Sequence, residues 1–347
     1  MIPHSKPLIT DTDREAVQQI LATGMVAQGQ VASRFADALA NYTRMPKGVV
    51  TSSGSAAITL VLRALQLPVG GEVVIPTYVC RSVGDAVVEA GLTPILCDVG
   101  DSWSMTPQNV DAVISGRTVA VIVPHIFGIV ADVDAFARFG VPIIEDACQS
   151  FGTHHSKFIG TRGTASVYSF NATKCLTTGE GGYATSQKPE LAERICELAN
   201  GSPSGFTRFF SPMTDMQAAL GISQLSRYDN FIARRLFLVD RYFDALADID
   251  FVVLPSHVRH NSTFFRFPVL TRGTSFDQTR SEFETRGVAV RRGVDALLHH
   301  IAVQPSDNFP EAERLFRETV SLPLYPAMTN DEQDVVIEAC RSVWRTS

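Results

Sequence analysis

The chain has 347 residues, of which 45% are hydrophobic and 19% are charged, and its formal net charge at pH 7 is −6. This length favours two domains with a large core, and the composition is that of an ordinary soluble protein. The acidic balance gives no reason to expect nucleic acid or an anionic membrane as a partner. The sequence has no apolar run of about 18 residues and no apolar signal segment near residue 1. We therefore expect a cytoplasmic protein.

Cysteines and histidines give no pattern that predicts a metal or disulfide framework. The six cysteines are scattered and include no CxxC pair, so we expect reduced thiols. The doublets His154–His155 and His299–His300 have no carboxylate or further histidine at a convincing ligand spacing. The sequence therefore predicts no metal site.

Short apolar runs alternate with helical patterns from Lys47 onward. The apolar runs are GVVTSS, EVVIPT, TPILCDV, AVIVPH and VPIIED, and the helical patterns between them include AAITLVLRAL, SVGDAVVEA and VDAFARF. This order predicts a mostly parallel sheet covered by helices on both faces. Ligands collect beyond the carboxyl ends of such strands. The polar residues of interest follow these strands, at residues 51–54, 76–80, 125, 146 and 169–174.

The C-terminal third has a different pattern. Helical spacing over residues 214–246 predicts one or two long helices. After these we expect a strand around residues 264–270, a helix around 276–286 and a last helix near 331–343. This order indicates a smaller α+β domain. We place the large domain, with an N-terminal arm, at residues 1–237 and the small domain at 238–347.

The stretch from Val141 to Gly182 carries the chemistry. Asp146 ends the apolar run PIIED, and Lys174 lies just past the run in YSFNATK. A lysine can form a Schiff base if it is desolvated or near another cation, and an acid is the partner that a pyridinium nitrogen needs. Together these residues suggest pyridoxal 5'-phosphate (PLP), whereas a solvated lysine and a helix-capping aspartate remain the structural alternatives.

The segment VVTSSGSAAITLVL reads as a strand, a glycine-containing turn and a helix. Free N–H groups at a helix N-terminus bind a phosphate, and a glycine lets the backbone approach closely. Because Ser/Gly turns are also common helix caps, this signal alone is weak. GxGxxG and GxxxxGK[ST] are both absent, so dinucleotide and P-loop sites have no support.

As a set, EDACQ, YSFNATK and TGEGG resemble the DegT/DnrJ/EryC1/StrS family of sugar aminotransferases, whose pattern runs roughly EDAAQ/H, FSFHxxK and TGEGG. Residues 13–42 and 309–340 are also similar to the family's opening and closing segments, and residues 252–308 are the least similar. The resemblance implies an aspartate-aminotransferase-like (type I PLP) α/β fold. It also implies a mostly parallel seven-stranded sheet in the large domain and a homodimer.

The resemblance assigns roles to individual residues. Lys174 forms the Schiff base and moves the proton of the 1,3-shift, and Asp146 pairs with the pyridine nitrogen. Gln149 contacts the phenolic oxygen of the cofactor, and Glu180 lies beside the substrate end. The phosphate cradle comprises Gly54, Ser55, the Ala56 amide and the Ser169 hydroxyl.

Three positions depart from the family pattern. The residue expected to stack on the cofactor ring is Cys80 in PTYVC, so either its sulfur or a shifted Tyr78 must cover the ring face. Asn171 stands where the family has a histidine. Pro212 stands where many members have an asparagine that reaches the partner subunit's phosphate. Ser211 is the one replacement nearby, so the contact across the dimer is in doubt.

The function implied by the resemblance is amino transfer to a keto-sugar attached to a nucleotide, or to a related keto-cyclitol. The amino donor usual in the family is glutamate or glutamine. Such reactions serve amino-sugar, surface-polysaccharide or antibiotic biosynthesis. A PLP-dependent sugar dehydratase is an alternative, but such relatives replace the lysine with histidine, and Lys174 argues against it. A non-catalytic PLP-binding regulator is a second alternative, and nothing in the sequence resembles a helix-turn-helix extension. Residues 252–308 look short for the family, so a smaller acceptor stays open.

Overall fold

The computed structural model describes residues 1–154, 157–201, 208–249, 252–253, 259, 262–271 and 274–345. Its central sheet has seven strands in the order β1-β9-β8-β5-β4-β2-β3. The sheet strands are β1 (Gly48–Thr51), β2 (Glu72–Pro76), β3 (Thr93–Cys97), β4 (Thr118–Pro124), β5 (Ile143–Asp146), β8 (Ala165–Ser169) and β9 (Gly182–Thr185). A short hairpin comprises β6 (Thr153–His154) and β7 (Lys157–Phe158).

The sheet is parallel except at β9, which pairs antiparallel with both β1 and β8. Both of its faces are buried. Val73 and Ile75 of β2 pack in one apolar cluster, whereas Val74 between them packs in another on the opposite face. The prediction of a mostly parallel seven-stranded sheet inside an α/β fold is therefore confirmed.

Helices cover the sheet and form much of the C-terminal part. They are α1 (Asp11–Thr23), α2 (Gln30–Thr43), α3 (Gly54–Ala64), α4 (Arg81–Glu89), α5 (Pro107–Asp111), α6 (Pro189–Asn200), α7 (Asp215–Leu225), α8 (Tyr228–Leu246), α9 (Phe276–Thr285), α10 (Leu298–Ile301), α11 (Pro310–Glu318) and α12 (Asn330–Arg345). The segment VDAFARF forms a 3₁₀ helix, which ends at Gly140 in a left-handed conformation. None of the helices in the described ranges is long and apolar enough to cross a membrane.

The C-terminal part has a three-stranded antiparallel sheet of β10 (Val252–Val253), β11 (Phe267–Thr271) and β12 (Thr319–Leu322). The predicted strand near residues 264–270 thus begins three residues later, and both predicted helices are confirmed. Ile2 forms a β-bridge with Val288, so the N-terminal arm joins this part of the molecule. The domain boundary that we propose at residue 237 falls inside α8, which is continuous.

Asp215, the first residue of α7, fixes the start of α2. Its buried carboxylate accepts hydrogen bonds from the backbone N–H groups of Gly29 (2.8 Å), Val31 (3.2 Å) and Ala32 (2.8 Å). A Cβ atom on Gly29 would lie 2.7 Å from the Asp215 carboxylate, so glycine is needed for this close approach. The carboxylate thereby satisfies amides that the helix leaves without partners.

Candidate active site

A cavity of about 290 Å³ lies where β5 and β8 end and α3 begins. Most of the sequence-predicted site residues line it, whereas Gln149, Ala56 and Tyr78 do not. The lining residues are Ser53, Gly54, Ser55, Ile58, Cys80, Ser82, Val83, Asp146, Cys148, Ser169, Asn171, Thr173, Lys174 and Glu180.

The turn before α3 offers N–H donors to this cavity. Ser53 caps the helix, because its Oγ accepts a hydrogen bond from the Ala56 N–H (3.1 Å). The Ala56 amide that we assigned to the phosphate cradle is thus already bonded, whereas those of Gly54 and Ser55 precede it at the helix start. A Cβ atom on Gly54 would lie 2.9 Å from Ser169 Cβ. Glycine is therefore required where the turn meets β8.

Asp146 is the last residue of β5 and is 5% exposed. Its Oδ1 accepts a hydrogen bond from the Cys148 N–H (3.0 Å), which fixes the side chain and leaves Oδ2 for another partner. Burial and the nearby Asp146 carboxylate raise the pKa of the Cys148 thiol well above its usual value. Cys148 therefore lines the cavity as a neutral thiol.

Lys174 follows β8 in a tight turn, in which its N–H donates to the Asn171 carbonyl (2.8 Å). Its Nζ lies 4.4 Å from the centroid of the Phe265 ring. Phe265 is buried and comes from the loop before β11, so the C-terminal part covers one side of this lysine. The contact is of cation–π type and holds the amine at the cavity.

Asn171 connects the lysine turn to the TGEGG loop. Its Nδ2 donates to Glu180 Oε1 (2.7 Å), and the Glu180 carbonyl accepts from Gln217 Nε2 of α7 (2.8 Å). Glu180 is exposed yet reaches the cavity. The asparagine that replaces the family histidine therefore holds the Glu180 carboxylate.

Gln149 lies beside the cavity wall, where its Oε1 accepts a hydrogen bond from the Phe127 N–H (2.8 Å). Phe127 has a positive φ of 59°, a strained conformation for a bulky residue. The glutamine side chain stabilises this backbone and leaves its NH₂ group as the donor for any further contact.

Cys80 and Tyr78 lie on different sides of the chain that follows β2. Cys80 is exposed, lines the cavity and has its Sγ 3.0 Å from Ser82 Oγ. Tyr78 is fully buried, and its ring packs edge-on against Phe127. Of the two candidates to cover the ring face, Cys80 is the one at the cavity.

Ser211 contacts a residue of its own chain, Ser52. Its carbonyl accepts from the Ser52 N–H (3.0 Å), and the two hydroxyl oxygens are 2.5 Å apart. Ser52 belongs to the turn before α3, but neither hydroxyl lines the cavity.

Three residues at the cavity or next to Lys174 carried no assigned role in the sequence analysis. Ser53 lies within TSSGS, and the preference of serine for helix N-caps was the signal that could have identified it. Cys148 lies within EDACQ, where alternation along the chain places it near Asp146. Phe265 gave no signal, because its contact with Lys174 spans about 90 residues and the small sheet.

The chain matches the model of the DegT/DnrJ/EryC1/StrS aminotransferase family over residues 7–341. It belongs to this family. It is 29% identical to the spore coat polysaccharide biosynthesis protein SpsC of Bacillus subtilis (strain 168), over 99% of the chain and 97% of that protein.

Solved structures of aminotransferases have the same fold. The aminotransferase TlmJ from Streptoalloteichus hindustanus is 28% identical, with a TM-score of 0.92 over 100% of this chain and 99% of that one. The putative sugar aminotransferase Spr1654 from Streptococcus pneumoniae, in its PLP form, is 25% identical with a TM-score of 0.92 over 99% of each chain. The fold and the aminotransferase class predicted from the sequence are therefore confirmed.

The residues at the cavity fit pyridoxal phosphate in chemistry. One end presents the Gly54 and Ser55 amides and the Ser169 hydroxyl, donors that suit a phosphate dianion. A buried carboxylate and an amine, Asp146 and Lys174, line the same cavity. Such donors, acid and amine are the kinds of group that a phosphate, a pyridine nitrogen and an aldehyde carbon require.

Proposed function

We propose that this PLP-dependent aminotransferase transfers an amino group from glutamate or glutamine to a keto-sugar, with a nucleotide-linked sugar as the preferred acceptor. The observation that carries the proposal is that Lys174 and Asp146 line the same cavity, which lies at the N-terminus of α3. The family membership of the chain supports transamination. The similarity to a polysaccharide biosynthesis protein and to a putative sugar aminotransferase supports a sugar acceptor.

Each residue has a defined task in this reaction. Pyridoxal phosphate supplies the carbon that carries the amino group and a ring that accepts electrons. Lys174 would hold the cofactor through its amine and, once released, its Nζ would take and return the proton of the 1,3-shift across the transferred nitrogen. Asp146 accepts a hydrogen bond from the ring nitrogen and, as a carboxylate, keeps that nitrogen protonated. Ser169 and the amides of Gly54 and Ser55 hold the phosphate.

We assign the acceptor end of the site to the side of Lys174 that Phe265 covers, with Glu180 in the lining of the same cavity. Phe265 covers the amine from the C-terminal part, and the Asn171 amide holds Glu180 at the rim. An aromatic ring and a carboxylate at one site suit a sugar, whose C–H face packs on the ring while its hydroxyl groups donate to the acid.

Two half-reactions test the proposal. The holoenzyme mixed with glutamate alone should release 2-oxoglutarate in an amount equal to the enzyme, and a subsequent keto-sugar should be aminated in the same amount. An acceptor panel of nucleotide-linked keto-sugars, free keto-sugars and keto-cyclitols then measures continuous glutamate consumption. A dehydratase would convert a sugar without consuming glutamate, and a regulator would do neither, so either result would overturn the proposal.

A further inference from the structure

The two adjacent histidines of α10, His299 and His300, contact a carboxylate that lies on another helix and is not close to them in the sequence. Glu313 belongs to α11, and its Oε1 accepts hydrogen bonds from Nε2 of both His299 (3.1 Å) and His300 (2.6 Å). One ligand atom from each residue lies within 4.8 Å of the others. Two imidazoles and a carboxylate that converge on one point form a common protein donor set for zinc.

We propose that His299, His300 and Glu313 form a binding site for a divalent transition metal ion of the zinc class, with water as the fourth ligand. In a tetrahedral site with metal–ligand distances near 2.0–2.1 Å, neighbouring ligand atoms are about 3.3 Å apart. The His299–Glu313 separation is already close to this value. The His300–Glu313 pair must open by less than about 1 Å, and the two histidine ligand atoms lie within 4.8 Å of each other. His300, whose side chain is 40% exposed, has room to move.

The surroundings of His299 resemble those of a metal ligand. The ring is fully buried and stacks on Phe309, with centroids 4.3 Å apart and planes at 13°. Its Nδ1 lies 2.8 Å from the Thr77 hydroxyl oxygen, which can accept the Nδ1–H and so leave the Nε2 lone pair for an ion. Such a hydrogen bond on the second ring nitrogen usually fixes the orientation of a metal-binding histidine.

The hydrogen-bonding groups around the ligands suit this role. A neutral imidazole has one N–H, so an ion on Nε2 requires the tautomer with the proton on Nδ1. In His299 the Thr77 hydroxyl oxygen lies 2.8 Å from Nδ1 and can accept that proton. The Glu313 Oε1 atom that now contacts both Nε2 atoms is then the third ligand.

The position of the cluster indicates what an ion does there. The backbone N–H groups of Leu298 and His299 donate to the carbonyl and hydroxyl of Thr77, respectively. Thr77 follows β2, three residues before Cys80 in the cofactor cavity. An ion that joins α10 to α11 therefore stabilises the chain next to the cofactor from outside the cavity.

The test uses the tag-free, PLP-loaded enzyme, dialysed against a chelator and then titrated with Zn²⁺ or with Co²⁺, whose visible spectrum reports tetrahedral coordination. We expect one ion per chain, a tetrahedral Co²⁺ spectrum and a higher thermal midpoint with Zn²⁺. His300→Ala and Glu313→Gln should weaken binding at least about 10-fold and abolish the Zn²⁺-dependent midpoint shift.

Two control variants separate this site from other ligands on the molecule. Glu311→Gln alters a carboxylate on the same helix that pairs with Arg314, and Cys80→Ser removes the exposed thiol. Both should bind Co²⁺ with the affinity and spectrum of the unaltered enzyme. No binding by the unaltered enzyme, or unchanged binding by His300→Ala and Glu313→Gln, would overturn the proposal. PLP content and glutamate half-reaction are measured in parallel, so that failure of the proposed function is seen separately.

Discussion

Lys174 is the residue on which the proposed chemistry depends most directly. It lies in a loop turn with its Nζ over the Phe265 ring, so Lys174→Ala should fold normally. We expect this variant to lose at least about 10²-fold in turnover, because both attachment and proton transfer are removed. Turnover is measured as glutamate consumption, and folding by the thermal midpoint.

Borohydride reduction checks the attachment independently of activity. In the unaltered holoenzyme the reduced cofactor should be found by peptide mapping on Lys174, and in Lys174→Ala no peptide should carry it. Lys188, which precedes α6, is the matched control. Lys188→Ala should carry the reduced cofactor on Lys174, as the unaltered enzyme does. A label on Lys188 or Lys157 would remove Lys174 from the site.

Asp146 should act through its charge. In Asp146→Asn the Oδ1 atom still accepts from the Cys148 N–H, so the local turn is kept while the negative charge is lost. Since one pKa unit is worth about 1.4 kcal/mol, loss of ring protonation should lower turnover by about 10²-fold or more. Cofactor content, measured by absorbance after gel filtration, should fall much less. Near-normal turnover would exclude Asp146 from this role.

The sequence was informative about these two residues because each lies in a short contiguous pattern at the end of a strand. Phe265 and Glu313 gave no such signal. Phe265 reaches Lys174 from the small sheet, and Glu313 reaches the histidine doublet from another helix. Contacts of this kind depend on how elements pack, and spacing along one sequence does not contain that information.

At the scale of elements, Glu145, the residue before Asp146, forms hydrogen bonds with the chain segments that precede and follow β5. Its Oε1 accepts from His125 Nε2 (2.9 Å) and the Gly160 N–H (2.6 Å), and its Oε2 accepts from the N–H groups of Arg162 and Gly163 (both 3.0 Å). His125 Nδ1 in turn accepts from the Ala131 N–H (3.0 Å). His125 therefore bonds the Glu145 carboxylate through one ring nitrogen and the Ala131 N–H through the other, and the chain after β4 is fixed to the loop before β8.

Glu145→Gln should destabilise the fold by about 3 kcal/mol, because an amide offers one acceptor oxygen and turns an NH₂ group toward hydrogen-bond donors. Burial alone would raise the pKa of Glu145, but the hydrogen bonds hold it below 4.5. The stabilisation by ionised Glu145 is thus complete above pH 4.5 and is lost as the pH falls through the lowered value.

Urea unfolding at pH 7, and at pH values from 5 downward, measures both effects. The variant should be less stable at pH 7 and should lose less further stability in acid than the unaltered enzyme. Glu193→Gln is the control, since Glu193 forms an exposed ion pair with Lys47 and should change stability by less than about 0.5 kcal/mol. Equal effects of the two variants would contradict a structural role for Glu145.

Elements were predictable where one local rule decided them. The strands of the central sheet were found because both of its faces are buried, so each strand is a continuous apolar run. The start of β11 was not found, because its antiparallel partner β12 decides it, and the sequence of VDAFARF does not distinguish a 3₁₀ helix from an α-helix. The capping of α2 by Asp215 crosses more than 180 residues and was likewise beyond a local pattern.

At the scale of the whole molecule, apolar side chains are exposed around the loop before α7. Phe210 is 69% exposed and Met25 is 74% exposed. The Arg208 side chain donates to Gln28 Oε1 (3.5 Å), so these two loops are neighbours. Exposed apolar groups of this size mark an interaction surface when they cluster, and we expect this one to be buried in a homodimer.

Phe210→Asp should therefore weaken the dimer at least about 10-fold, as measured by sedimentation over a range of concentrations. Val69 is a matched control, because it is 95% exposed in the turn between α3 and β2, and Val69→Asp should leave association unchanged. A monomer that retains bound PLP would contradict the dimer, and equal effects of the two substitutions would contradict this surface.

Although the dimer is expected, the phosphate should be held mainly from within one chain. Pro212 has no side-chain donor, and the Ser211 hydroxyl lies against Ser52 of its own chain. Ser169 lines the cavity, and its Oγ accepts from the Asn171 N–H (3.4 Å), which leaves its proton free for the phosphate. Ser169→Ala should weaken PLP binding about 10-fold and Ser211→Ala less than about 3-fold, measured by titration of apoenzyme with PLP. An equal loss in Ser211→Ala would show that the neighbouring chain supplies a phosphate contact.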